Sequence, residues 1–183
     1  MGIRVHFVTI VTNTGNVPVE LEHINYEMRS PAGVLVEVGT IPRSYPKRIA
    51  PGQSALIGRT VTADGAVTTE DVASIRITFD SKKVDRADRL LLVQSAELHG
   101  ANSFGQVEVV GVVANDGATV VNSIKVAVAI VDRDGQAVGY ATAKVAVNQL
   151  RPGDFAEFIT AADLPADRIF PLADHVLVFA SDE

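Results

Sequence analysis

The residues best suited to chemistry in this 183-residue sequence are few and far apart. His6, His23, His99 and His175 are the only histidines, and no two of them stand at i, i+2 or i, i+4. Metal ligation would therefore need distant segments to converge, and structural or surface roles are expected, with His23 and His175 on predicted strands. Asp132, Asp134 and Gly135 resemble the opening of a calcium loop. Such a loop needs a late bidentate glutamate, which the following "QAVGYA" does not supply, so a hairpin turn is expected instead. Asp80, Asp85 and Asp88 form a second candidate cation cluster. Lys82, Lys83, Arg86 and Arg89 stand among them, and mutual neutralisation on a solvated surface is expected.

One loop stands out as a candidate partner-contact site. In "PRSYPKR", Pro42 to Arg48, the cations Arg43, Lys47 and Arg48 surround Tyr45 between two prolines. An aromatic anchor with few rotatable bonds, ringed by positive charge, suits an acidic partner or an anionic polymer. No catalytic, cofactor-binding or metal-ligating residue is nominated. The P-loop, nucleophile-elbow, zincin and dinucleotide-binding patterns are all missing, so a non-enzymatic role with no cofactor is expected. Sugar stacking is disfavoured by zero tryptophans and three tyrosines.

Composition narrows the class further. A net charge of −6 argues against a nucleic-acid partner, whose phosphates are bound by Lys and Arg. The lack of cysteine removes disulfides, thiolate metal sites and cysteine nucleophiles. No apolar run reaches the roughly 18 to 20 residues that span a bilayer, so membrane association is expected only through an anchor outside this sequence. Met1 leads almost directly into "IRVHFVTIVTN" without a charged leader, so any targeting segment is expected to be lacking or to lie upstream.

The elements that must position these residues are legible in a repeat. "NTGNVPVELEHINYEMRSPAG" (13–33) aligns without a gap to "NDGATVVNSIKVAVAIVDRDG" (115–135) at an offset of 102. Pro51-Gly52 matches Pro152-Gly153 at an offset of 101, and Ile77 and Phe79 are aligned with Leu177 and Phe179 at an offset of 100. Each copy reads as an Asn-x-Gly turn, a strand of period-two alternation, a hairpin closed by Gly33 or Gly135, and a Pro-Gly break before another strand. Positive φ is expected at Gly117 and Gly135. A single helical turn near Thr69 or Pro165 then precedes a last strand, "ASIRITFD" or "DHVLVFAS". Short strands at regular spacing predict antiparallel β-sandwiches, with domains at 1–82 and 83–183.

The copies differ at their starts. Leu90, Leu92 and Leu98 predict an additional first strand in the second copy, whereas the first copy has nothing comparable before Gly2. Either that strand lies upstream of this sequence, or the sheet edge is open to strand addition by another protein. The linker "SKKVDRADR" (81–89) is short and charged, which predicts two domains end to end.

The second copy, in "VVGVVANDG", "VAVAIVDRDGQAV" and "LRPGDFAEF", resembles the bacterial FxLYD domain. The name-giving motif falls on Val128, Ala129, Ile130, Val131 and Asp132, of which Asp132 is identical. The first copy, in "VTNTGNVPVELEHINYEM", "GTIP" and the later Pro-Gly, is similar to the water-stress-and-hypersensitive-response domain of group 2 late embryogenesis abundant proteins. The resemblances imply an all-β fold of two tandem immunoglobulin/fibronectin-III-like antiparallel sandwiches, without catalytic residues. They imply a non-catalytic structural or protein-interaction module of a bacterial or archaeal envelope-associated protein, extracellular or in the cell envelope. The alternative is an intracellular, cytoplasmic water-stress-type protective protein.

Overall fold

The computed structural model describes residues 4–62 and 69–182. Met1 to Ile3, where the first expected strand begins, lie outside the described residues. Runs of valine, isoleucine and threonine broken by turn-forming residues fold almost entirely as strands. The first seven are β1 (Arg4–Thr12), β2 (Val19–Arg29), β3 (Leu35–Thr40), β4 (Arg48–Ile49), β5 (Ser54–Thr62), β6 (Ser74–Lys83) and β7 (Leu92–Ala101). There follow β8 (Gln106–Ala114), β9 (Val121–Asn122), β10 (Lys125–Val131), β11 (Ala137–Val145), β12 (Gln149–Leu150), β13 (Phe155–Pro165) and β14 (His175–Ser181). A 3-10 turn at Thr69–Asp71 and the short helix α1 (Ala166–Ile169) occupy the two places expected for helical turns. The fold is all-β, every described strand pair is antiparallel, and no described helix is long and apolar enough to cross a membrane.

In the N-terminal half β1 pairs with β5, while β2 lies between β3 and β6 with β4 added at its start. The inward side chains of these two sheets, among them Phe7, Tyr26, Met28, Ile49 and Ile57, form one buried core. In the C-terminal half a single six-stranded sheet runs β14-β10-β11-β13-β8-β7. It curls until Leu90, just ahead of β7, bridges Ser181 in β14, enclosing a second core built on Val107, Val109, Val113, Val126, Val128 and Phe158.

Strand registers correspond between the halves. Val11 faces Ala55 as Val113 faces Ala156, and Tyr26 faces Gly39 as Val128 faces Ala141. The hairpin bulges also coincide, at Met28/Arg29 and at Ile130/Val131. The last strand departs from the sequence alignment: Tyr26 faces Ile77 and Val128 faces Val178, an offset of 101. One residue of slip exchanges the two faces of a strand. Ile77 and Val178 accordingly point into their cores, and Leu177 is exposed.

The Asn-x-Gly pattern has a different cause from the expected left-handed turn, because neither asparagine and neither following glycine adopts a positive φ. Asn13 and Asn115 are buried hubs. The Asn13 amide donates to the carbonyls of Val17 and Ile49 at 2.9 and 3.0 Å, and its Oδ1 accepts from Gly15 N. The Asn115 amide donates to Thr119 and Leu150 at 2.8 and 2.9 Å, and its Oδ1 accepts from Gly117 N. The Asn13 and Asn115 main chains bond in the same way to the two Pro-Gly turns, through Gln53 and Gly52 or Asp154 and Gly153. Each asparagine thus ties its own turn to the distant stretch that carries the Pro-Gly turn, which is why asparagine and Pro-Gly recur together. At Gly117 an added Cβ would displace the Arg89 guanidinium lying against it, and Gly135 is favoured by a φ of 77°.

Candidate functional site

The expected end-to-end arrangement is replaced by face-to-face packing. Leu56 with Val8 and Tyr45 from the N-terminal half meets Ala127, Ala129, Val131, Tyr140 and Phe179 from the other. The alanines let the sheets approach closely, and Leu56, Ala127 and Ala129 are completely buried. Tyr140 lies across Gly58, where an added Cβ would stand 2.5 Å from the ring.

The Pro42–Arg48 loop sits at this junction. Tyr45 exchanges two backbone hydrogen bonds with Leu56, both 2.8 Å, and so extends the edge of β5. Its hydroxyl is hydrogen-bonded to Tyr140, whose pKa is raised first by burial and then by that tyrosine neighbour. The Arg43 guanidinium stands 5.9 Å from the Tyr45 ring centroid. The Lys47 ammonium pairs with Glu20 and holds that carboxyl below its ordinary range. Arg48 Nε donates to Asp88 Oδ1 at 2.6 Å, while the backbone N–H groups of Lys47 and Arg48 donate to Asp88 Oδ2 at 3.0 and 2.9 Å. All four sequence-nominated residues therefore engage the chain itself. Asp88, placed on a solvated surface by the sequence reading, is 3% exposed, because three donors compensate its removal from water. The next residue, Arg89, bonds to Asn115 and, through its backbone, to Asp182. Neighbouring residues of the linker are thus fixed to opposite halves.

The other nominated groups do not converge. His6 bonds to Thr60, His23 to Asp80 and His175 to Asp174, at 2.8, 3.0 and 3.1 Å, and His99 lies on β7. Asp132 Oδ1 accepts from Asp134 N and Gln136 N and thereby closes the hairpin. Among the described residues no group of three or more His, Cys, Asp or Glu is placed to hold a metal ion.

A second feature is the edge of β1 opposite β5, with which no described strand pairs. Between this edge and β6 lies a cleft of about 370 Å³ lined by Phe7, Val8, Thr9, Val11, Ile75, Ile77 and Phe79. The corresponding space in the other half is filled by β7, which pairs with β8 and packs against β14. The sequence bears on this asymmetry in Leu92 and Leu98 of β7, which mark the strand that fills the space in the C-terminal half. It also holds an overlooked sign of the junction: β2 carries Asn25, Glu27 and Arg29 where β10 carries Ala127, Ala129 and Val131. A strand apolar at successive positions is buried on both faces. Compared with family models, with curated proteins and with solved structures, the chain finds no match.

Proposed function

We propose that the chain is a non-catalytic structural and protein-interaction module: two immunoglobulin-like sandwiches in tandem, residues 1–82 and 83–183, held as one rigid unit. The carrying observation is the junction, where Leu56, Ala127 and Ala129 are fully buried and Asp88 and Arg89 fasten the linker to either side. An interface closed by both apolar contact and part-buried hydrogen bonds suits a part that holds geometry between partners. The Pro42–Arg48 loop contributes by bracing that junction through Tyr45 and Arg48. The resemblance of the strand pattern to envelope-associated domains supports placement in a bacterial or archaeal envelope protein.

Spin labels at Thr78 and Gln94, both exposed, test the reading by pulsed distance measurement. A single narrow distance is expected, broadening when Ala129→Asp places a charge in the junction. A broad distribution in the unaltered chain would remove the rigid-unit reading. Recovery with the cytoplasm on fractionating the native cells would replace the envelope placement with the water-stress alternative.

A further inference from the structure

The junction joins unlike faces. The outer face of β1 and β5 from the N-terminal half lies on the outer face of β10, β11 and β14 from the C-terminal half. Because the strand registers correspond, each half carries both kinds of face, and one of each is left over. On the C-terminal half it is the outer face of β8 and β13, where Val110 stands in the place of Val8, Glu157 in that of Leu56 and Ile159 in that of Gly58. With Ala146 in the place of Tyr45, a hollow of about 680 Å³ opens there, bordered by Val110, Val112, Glu157 and Ile159. On the N-terminal half it is the outer face of β2, β3 and β6, where Leu35 stands in the place of Ala137 and Val38 in that of Tyr140. Ile159 and Val38 are 53% and 56% exposed, although their counterparts Gly58 and Tyr140 touch across the junction.

The two free faces suit one another by size and by charge. Where the junction lays a ring on a glycine, they offer two branched aliphatic side chains of middle size. Where Leu56 lies against Ala127 and Ala129, they offer Glu157 against Asn25 and Glu27. Two carboxylates then need two cations, and two are present. Arg29 pairs with Glu27, while Arg76, opposite Glu27 on β6, has no partner among the described residues. Exposed apolar side chains set beside an unpaired charge are the ordinary signature of a contact surface.

We propose that a second copy of this chain covers the β8–β13 face with its own β2–β3–β6 face, repeating between molecules the junction that holds each molecule together. Val110 and Ile159 pack on the partner's Leu35 and Val38, and Glu157 pairs with the partner's Arg76. Unlike faces that mate head to tail leave one free at each end, so association runs past the dimer into an open chain or a closed ring.

The inference rests on reading the chain as a rigid pair of sandwiches, which the spin-label distance in dilute solution reports separately. A narrow distance in a chain that never associates would overturn the head-to-tail contact alone. Sedimentation velocity of the full 183-residue chain, from micromolar to millimolar concentration, is the test. A series of species extending beyond the dimer is expected. Val38→Asp and Ile159→Asp, at exposed positions on the two different faces, should each weaken association about tenfold or more. Each variant keeps the face that the other has lost, so an equimolar mixture should form a 1:1 dimer and stop there. A parent chain that stays monomeric at millimolar concentration, or a dimer that persists in either variant alone, overturns the proposal. So does a mixture that stays monomeric while both variants keep the parent's unfolding midpoint.

Discussion

The two halves share a hydrogen-bonded frame and differ in what their outward surfaces are made of. On the outer face of the β2 sheet Asn25 and Arg29 meet water, whereas at the corresponding positions of β10 Ala127 and Val131 are buried against Leu56 and Val8. At the opposite layer no described strand pairs with the second edge of β1, whereas the C-terminal half closes β8 with β7. The inward residues and turn residues therefore specify the fold of each half, and alternate outward positions specify what each half touches. A strand's period of two allows these to vary separately.

The largest effect expected from breaking this comparison lies in the shared frame. Asn115→Ala leaves the Thr119 and Leu150 carbonyls and Gly117 N without their partner, and Asn13→Ala does the same to Val17, Ile49 and Gly15. Each substitution should destabilise by about 2 to 4 kcal/mol in chemical denaturation. Asn115→Ala should cost more, because Arg89 also bonds to that Oδ1. If either change leaves the denaturation midpoint in place, the hub is dispensable and the parallel between the halves is superficial.

Next in size is the junction. Gly58→Val drives a side chain into the Tyr140 ring and should destabilise by about 2 kcal/mol, with partial recovery on adding Tyr140→Ala. Strict additivity in that double-mutant cycle would mean that the two residues do not press on one another. The smallest effect concerns Glu20 and Lys47. The Glu20 carboxyl is lowered in the folded chain by the Lys47 ammonium, so its contribution is complete above the ordinary glutamate range and disappears as pH falls through the lowered value. Lys47→Ala should remove about 0.5 kcal/mol at neutral pH, as for a solvent-screened pair, and leave stability nearly unchanged in acid. A loss independent of pH would point to the lysine's packing instead.

Much of the frame was legible because it is local or periodic. Alternation located the strands, Gly33 and Gly135 located the hairpin bends, and a single offset of 102 carried the register through the central hairpin. The last strand was misaligned by one residue because "HVLVFAS" carries apolar residues on both faces, so that, unlike the strictly alternating "SIRITFD", its composition alone does not select the inward set. The Asn-x-Gly turn was misread because the amide's partners, Ile49 and Leu150, lie 36 and 35 residues away. For the same reason the loop cations were visible and their engagement was not: Asp88 is 40 residues from Arg48, and no local pattern joins them. The junction left a trace in the paired alanines of β10. That trace reports burial on a second face and gives no address for the surface that covers it.

Asp88 and Arg89 share one peptide bond while each is gripped from a different side: the former by Lys47 and Arg48, the latter by Asp182 and Asn115. On the rigid-unit proposal, torque applied to one lobe reaches the other through a lever a single residue long. In a longer molecule the pair would count as one link, and bending would concentrate at whatever joins it to its neighbours.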